Sequence, residues 1–563
     1  MSRASRVSRR SLIGVPIIHR ITALAFALSA VLASLAGTAG PARAAGYVPV
    51  SGAGSTWSEN AIIDWSSNVQ QYGMQINYAG TGSSDGRNQF KNHTVDFAVS
   101  EIPYGVTDNG VTEPPPSRPY AYMPIVAGGT SFMYHLDVGG QRITNLRLSG
   151  KTIADIFTGN VTMWNDPEIR ADNPQISLPP RQIVPVVRGD GSGTTAQLTT
   201  WMARQYPSIW NAYCAKAGRN SNPCGTTSFY PVASGSDFIV KSLSTGVAGY
   251  VAQPTSEGAI TYVEYSYARN ANFPVAKMLN SSGYYTSPTA SDVAVALLKA
   301  QINPDLTQNL GNVYTDSDPR TYPLSSYSYM ILPTSTEAPF TTDKGRTLGA
   351  FAYYFLCQGQ QDADRLGYSP LPINLVQAGF NQVRRIPGVN VQSINVANCN
   401  NPTFSTNGTN TLATNAPMPQ PCDKQGPIQC GSGDGSGGGS GGTGGSGSGT
   451  GGTGGSGGTG GSATGGAGTG TGTGNGTGAA GGTGSGAGAT GINPDTGLPY
   501  GGGSGTGNGT TGNGAAVAQS VLVGDGIDSG FEHALMGLAA ALLLAATIGP
   551  PLLSRYLNRR KQS

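Results

Sequence analysis

Charge is scarce in this chain. Asp, Glu, Lys and Arg make up 11% of its 563 residues, against a usual share of about 25%, and dilution by a glycine-rich tract explains only part of the deficit. The net charge of +3 comes with no basic stripe and no interleaved aromatic run, which excludes a nucleic-acid surface. Histidine is scarcer still: only His93 and His135 fall in the central body, and no Cys-x-x-Cys spacing occurs, so a zinc centre has few ligands to draw on. No metal and no cofactor is expected. Gly82-Ser83-Ser84-Asp85-Gly86 spells a hydrolase nucleophile elbow, but no His stands between His135 and His533 to complete the triad order. Ser149-Gly150-Lys151-Thr152 resembles the end of a phosphate-binding P-loop, yet Asn145 stands where the upstream Gly is required, and the segment reads as a helix start. Asp166 and Glu168 have no partner that would make them a general acid/base pair. The chain reads as a non-enzyme.

Glycine, by contrast, is abundant. About half of the 85 glycines lie between Gly431 and Gly514. A tract of Gly, Ser, Thr and Ala cannot bury enough apolar surface to offset the entropy of ordering it, so residues 431–530 read as a disordered linker. Both chain ends carry the long apolar runs that the body lacks. Arg3, Arg6, Arg9, Arg10 and Arg20 precede the run from Ile21 to Leu35, and Ala42-Arg43-Ala44 supplies a small-x-small cleavage pattern, so residues 1–44 read as a signal peptide for the general secretory route. Residues 534–553 contain no charge and at about 1.5 Å per residue match a hydrocarbon core of about 30 Å. They read as a transmembrane helix. Arg555, Arg559, Arg560 and Lys561 then place the tail, 554–563, in the cytoplasm and the body outside a cell membrane crossed once. Six cysteines in an exported chain favour disulfides. Short loops pair Cys214 with Cys224 and Cys422 with Cys430, which leaves Cys357 with Cys399.

Between these ends, strands alternate with Gly/Ser/Thr loops that open helices. Gly52-Ala53-Gly54-Ser55-Thr56 precedes Trp57, Ala61, Ile62, Trp65, Val69 and Tyr72 at helical spacing; Gln75 to Ala79 alternates like a strand before Gly80-Thr81-Gly82-Ser83-Ser84-Asp85-Gly86, which leads into Arg87 to Lys91. Ile183 to Val187 reads as a buried strand, and Gly189-Asp190-Gly191-Ser192-Gly193-Thr194-Thr195 opens a helix through Ala196, Leu198, Trp201 and Met202. Ser234-Gly235-Ser236-Asp237 before Phe238 to Leu243 is a fourth, weaker case. The alternation predicts an α/β body with mainly parallel sheets. A helix start presents free N–H groups and a partial positive charge, so each such loop captures an anion as readily as it caps a helix; several together, one carrying Arg188, point to an oxyanion.

These segments, with Thr94-Val95-Asp96-Phe97-Ala98-Val99-Ser100, Ile156-Phe157-Thr158-Gly159-Asn160, Trp164-Asn165-Asp166 and Tyr262-Val263-Glu264-Tyr265-Ser266-Tyr267-Ala268, resemble the phosphate-binding protein of the high-affinity phosphate ABC transporter from about Val48 to about Val383. The resemblance implies a two-lobed class II periplasmic-binding-protein fold over 46–400. Lobe one would hold 46–133 and 323–400, lobe two 134–322, and the chain would cross near Ser131 and Ser325, ahead of a Cys-containing extension over 401–430. It implies phosphate ligands at Thr56, the backbone N–H of Trp57, Ser83, Arg188, Ser192, Gly193 and Thr194, with Asp190 orienting Arg188. The family's Asp after Asp-Phe-Gly-Ala-Ser is Glu101 here. That carboxylate would accept the proton of hydrogen phosphate, and its extra methylene requires either that the backbone recede or that discrimination against sulfate weaken. The implied function is a membrane-tethered, extracytoplasmic solute-binding protein that captures inorganic phosphate for ABC permease subunits in the same membrane. A tethered surface or sensory protein that uses the fold for another oxyanion or a protein partner is the second reading.

Overall fold

Apolar alternation and the punctuating Gly/Ser/Thr loops set the element order seen in the computed structural model, which describes residues 46–395, 399, 401–405 and 408–431. Strand β1 (Val50–Gly54) leads through Ser55 to Ser58 into helix α1 (Glu59–Val69), which buries Ala61, Ile62, Trp65 and Val69 along one face. Strand β2 (Ile76–Gly80), helix α2 (Ser83–Lys91) and strand β3 (Phe97–Ser100) follow. The long strand β4 (Tyr120–Tyr134) is buried over nearly its whole length. Then come β5 (Val184–Arg188), α3 (Gly193–Gln205), β6 (Ile239–Lys241), α4 (Leu243–Val251), β7 (Ala259–Glu264), β8 (Ser325–Pro333) and α5 (Thr342–Leu356).

The eight strands lie in the order β6-β5-β7-β4-β8-β3-β1-β2. At one side β1 runs parallel to β2 and β3; at the other β5 runs parallel to β6 and β7. Strand β4 joins the two sets. Its residues Tyr120 to Gly129 pair antiparallel with β8, and Thr130 to Tyr134 pair antiparallel with β7, so the strand changes partner between Gly129 and Thr130. Each parallel set ends in loops that start helices, the place where open α/β sheets put their ligands. One close approach makes this possible. A Cβ on Gly86 would stand 2.3 Å from Gly54 Cα, so only glycine lets α2 cross the end of β1 at that distance.

Two sequence readings require correction here. Phe238 to Leu243 is not a helix: Ile239–Lys241 pairs with β5 as strand β6, and the helix starts only at Leu243. The membrane-tethered reading is also corrected. Among the described residues no helix is long and apolar enough to cross a membrane. Residues 1–44, 432–530 and 534–563, on which the leader, linker, anchor and cytoplasmic tail were read, lie outside the described residues. The membrane tether and the single-pass topology expected from the sequence thus have no counterpart among the described residues.

The three disulfides join Cys214 to Cys224, Cys357 to Cys399 and Cys422 to Cys430. The extension beyond residue 400 packs on the body. Asn401 and Thr403 both bond the Leu371 carbonyl, and Arg320 serves the carbonyls of Ala413 and Ala416. The buried Arg147 guanidinium donates to the carbonyls of Cys422 and Ile428 at 3.0 and 3.1 Å, and Lys277 meets Asp423 at 2.6 Å.

Candidate anion-binding site

The carboxyl ends of β1, β2 and β3 face those of β5 and β6, and their loops meet. Ser84 N–H donates to the Gly191 carbonyl at 3.0 Å, and Ser84 Oγ donates to Ser228 Oγ at the same distance. Arg188, the last residue of β5, is 2% exposed. Its Nε and Nη2 both donate to Asp190, at 2.7 and 2.5 Å, which fixes the guanidinium plane, and Nη1 is left to reach Ser244 Oγ at 3.0 Å. Asp190 also accepts from the Leu243 N–H at 2.7 Å. Burial pushes the Asp190 carboxyl up, but the two Arg188 bonds outweigh it and hold the group below its ordinary value. A bidentate Arg held this way presents a fixed cationic edge to an oxyanion.

Thr56 lies in the turn before α1 and shares a hydrogen bond of 2.8 Å with Ser244 Oγ. Its carbonyl accepts from Tyr267 Oη at 2.8 Å. The Trp57 N–H is engaged by Ser55 Oγ at 2.9 Å, a local turn bond, so this donor is spent inside its own loop here. Ser83 stands at the first position of α2, after Gly82 at φ 95°. Ser83 Oγ accepts from the Gly193 N–H at 3.0 Å and donates to Glu101 Oε2 at 2.7 Å. Ser192 caps α3 by accepting from the Thr195 N–H. Thr194 Oγ1 is buried and has no hydrogen-bond partner among the described residues, an open donor at a helix start.

The expected residues thus form two neighbouring groups. Thr56, Arg188 and Asp190 gather around Ser244; Ser83, Glu101 and Gly193 gather at the start of α3, beside Ser192 and Thr194. Ser244 is the member that sequence reasoning missed. The signal was present in Ser242-Leu243-Ser244-Thr245-Gly246 before an apolar run, but the helix start was placed too early. Glu59 and Tyr267 were also missed; Tyr267 Oη donates to Glu59 at 3.0 Å, and burial raises the Glu59 carboxyl despite that bond and nearby Arg188. Glu101 is wholly buried. Burial raises its carboxyl, and hydroxyls of Ser55, Ser83 and Ser328 partly offset the rise. Among the described residues no group of three or more His, Cys, Asp and Glu is placed to hold a metal ion.

A family model described as a PBP superfamily domain matches residues 37–358. Phosphate-binding protein PstS of Xylella fastidiosa is 31% identical over 335 residues, 59% of this chain and 83% of that one. Phosphate-binding protein PstS 2 of Mycobacterium tuberculosis is 28% identical over 349 residues, 60% and 86% of the two chains. Among solved structures, a phosphate-binding protein from Stenotrophomonas maltophilia aligns at 18% identity over 64% of this chain and 99% of that chain, with a TM-score of 0.41.

Proposed function

The chain belongs to the PBP superfamily and, within it, to the PstS family, and on that premise we propose that its cleft captures inorganic phosphate and delivers it to an ABC importer. It is a binding protein and not an enzyme. The observation that supports this ligand is the pairing of opposite chemistries where the strand-end loops meet: a cationic fork at Arg188, with its helix-start donors, and a buried carboxylate at Glu101. Donors alone would suit any oxyanion. An acceptor beside them suits an oxyanion that keeps a proton, as hydrogen phosphate does near neutral pH and sulfate does not. The buried hydroxyl of Thr194 and the N–H of Gly193 supply donors on the side of Glu101, and Thr56 and Ser244 on the side of Arg188. Ser192 holds the α3 start in place. The Trp57 N–H joins the set once Ser55 releases it.

We place 46–133 and 323–400 in one lobe and 134–322 in the other; the partner change of β4 at Gly129 and Thr130 and the start of β8 at Ser325 support that boundary. The α1 and α2 starts already meet those of α3 and α4 through Thr56–Ser244 and Ser83–Gly193, and the ligand takes over these donors. Calorimetric titration with phosphate, arsenate and sulfate, after removal of copurified anion, tests the reading. Phosphate and arsenate should bind and sulfate should bind far more weakly. Absence of phosphate binding, or equal binding of sulfate, refutes it.

A further inference from the structure

We infer that Ser328, on crossing strand β8, is a positioning residue that draws the long Glu101 side chain back and leaves one of its carboxylate oxygens to read the proton of the ligand. The inference deepens the phosphate reading and rests on it.

The register places the two residues together. Strand β8 pairs antiparallel with β3 through Tyr329 opposite Ser100, and one further step of the same register sets Glu101 opposite Ser328. Residues directly opposite in an antiparallel pair have Cβ atoms about 4.5–5.5 Å apart, within reach of a serine hydroxyl and a glutamate. The ladder on the other side of β8 slips at this point: Ser328 pairs with Val126 and Tyr329 with Pro124, so Ile125 has no partner of its own. Such a bulge bends the strands and re-aims side chains next to binding sites, and Pro124 has no N–H to lose from the ladder.

The bonds then assign separate roles to the two oxygens of Glu101. Ser328 Oγ donates to Oε1 at 2.8 Å. Ser58 Oγ lies 2.9 Å from Ser328 Oγ; with the Ser328 proton committed to the carboxylate, Ser58 is the donor of that second bond, which fixes the Ser328 rotamer. Ser58, Ser328 and Glu101 are all buried, at 0%, 0% and 1% exposure. Oε2 instead takes its bond from Ser83 at 2.7 Å, and Ser83 is one of the ligand donors; the Ser55 hydroxyl also faces this carboxylate and is left unchanged by the Ser328 variants. When an oxyanion arrives, Ser83 turns its proton to the anion and frees Oε2 for the ligand's own proton, whereas Oε1 stays held by Ser328. The carboxylate also lies against the α3 start, where a Cβ on Gly193 would meet Oε2 at 1.9 Å. A glutamate free to swing forward would therefore enter the space of the anion. Holding Oε1 on the crossing strand accommodates the extra methylene without moving the backbone.

The test combines a ligand-free and a ligand-bound measurement on Ser328→Ala, Ser328→Thr and Glu101→Asp. In the ligand-free protein, isotope-edited infrared titration of the glutamate carboxylates should show the Glu101 transition moved to higher pH in Ser328→Ala, because a bond to the ionised form is lost, and restored in Ser328→Thr. In competition titration the phosphate-over-sulfate preference should fall about tenfold in Ser328→Ala, the scale of one hydrogen bond to a charged group, and recover with Thr. In a Glu101→Asp background, where residue 101 no longer contributes a glutamate band, Ser328→Ala should leave the phosphate-over-sulfate preference unchanged, because the shorter side chain no longer reaches the hydroxyl. An equal loss of phosphate and sulfate affinity with an unmoved carboxylate transition would overturn the positioning role. A moved transition in a protein that binds no phosphate would uphold the Ser328 contact and refute the phosphate reading instead.

Discussion

Removing the Arg188 guanidinium should cost more affinity than any other single change in the cleft. The side chain is 2% exposed and makes three bonds, two to Asp190 and one to Ser244. In Arg188→Ala the arriving anion loses its cationic partner, and Asp190 loses the two bonds that hold its carboxyl low and keeps the Leu243 N–H at 2.7 Å. An unpaired carboxylate then faces the ligand. Truncating one partner of a buried, hydrogen-bonded charge pair costs about 2–5 kcal/mol, which corresponds to roughly 30- to 4,000-fold in the dissociation constant. Arg188→Lys keeps the charge but loses the fork and should fall between wild type and Ala. The double variant Arg188→Ala with Asp190→Ala removes the repelling carboxylate as well and should bind more tightly than Arg188→Ala alone. Calorimetry with phosphate on wild type, Arg188→Ala, Asp190→Ala and the double variant reads these differences as a double-mutant cycle. A dissociation constant for Arg188→Ala within threefold of wild type, or strictly additive losses in the cycle, would refute the fork as the anchor.

Two further outcomes concern stability. The Cys357–Cys399 bond closes the longest of the three loops, with a separation of 42 residues against 10 for Cys214–Cys224; loop-closure entropy puts the loss of the former at about 4 kcal/mol and of the latter at about 3 kcal/mol, an order that urea unfolding of the paired Cys→Ser variants checks and a reversed order would contradict. Glu264 is wholly buried, its carboxyl raised well above the ordinary value first by burial and then by Glu101 and Glu59, despite backbone N–H groups of Ser266 and Tyr267. The folded state therefore holds a proton that the unfolded chain releases above about pH 4.5, so this group adds stability at low pH that is lost as pH rises towards its folded value. Glu264→Gln should flatten the decline of urea stability as pH rises above about 4.5, and an unchanged slope would mean that Glu264 is ionised in the folded protein.

The amino-acid sequence by itself determined those parts of the molecule that depend on short stretches of chain. A Gly/Ser/Thr loop followed by a helical stretch predicts helices α2 and α3, because capping and periodicity act within a few residues; the loops read to Gly86 and Thr195, whereas the helices begin earlier, at Ser83 and Gly193. Short cysteine spacings likewise identified two disulfides, and the third followed by elimination. The same local logic misread Ser234-Gly235-Ser236-Asp237: the pattern suits a helix cap, but pairing with β5 makes Ile239–Lys241 a strand, since strand preference follows neighbours more than the residue itself. It also attached a membrane span to the reading of a body that contains none among its described residues.

Only the tertiary structure decided which polar groups complete the cleft. Ser244 meets Thr56 across 188 residues of chain, Tyr267 meets it across 211, and Ser328 meets Glu101 across 227. In the sequence Ser325-Ser326-Tyr327-Ser328 reads as part of any buried strand. The register of β8 against β3, and the slip opposite Ile125, single out Ser328 from its neighbours. A one-residue shift of that register would turn the hydroxyl to the other face of the sheet, because side chains alternate along a strand; the partner of Glu101 is thus a property of strand pairing, which no local pattern encodes.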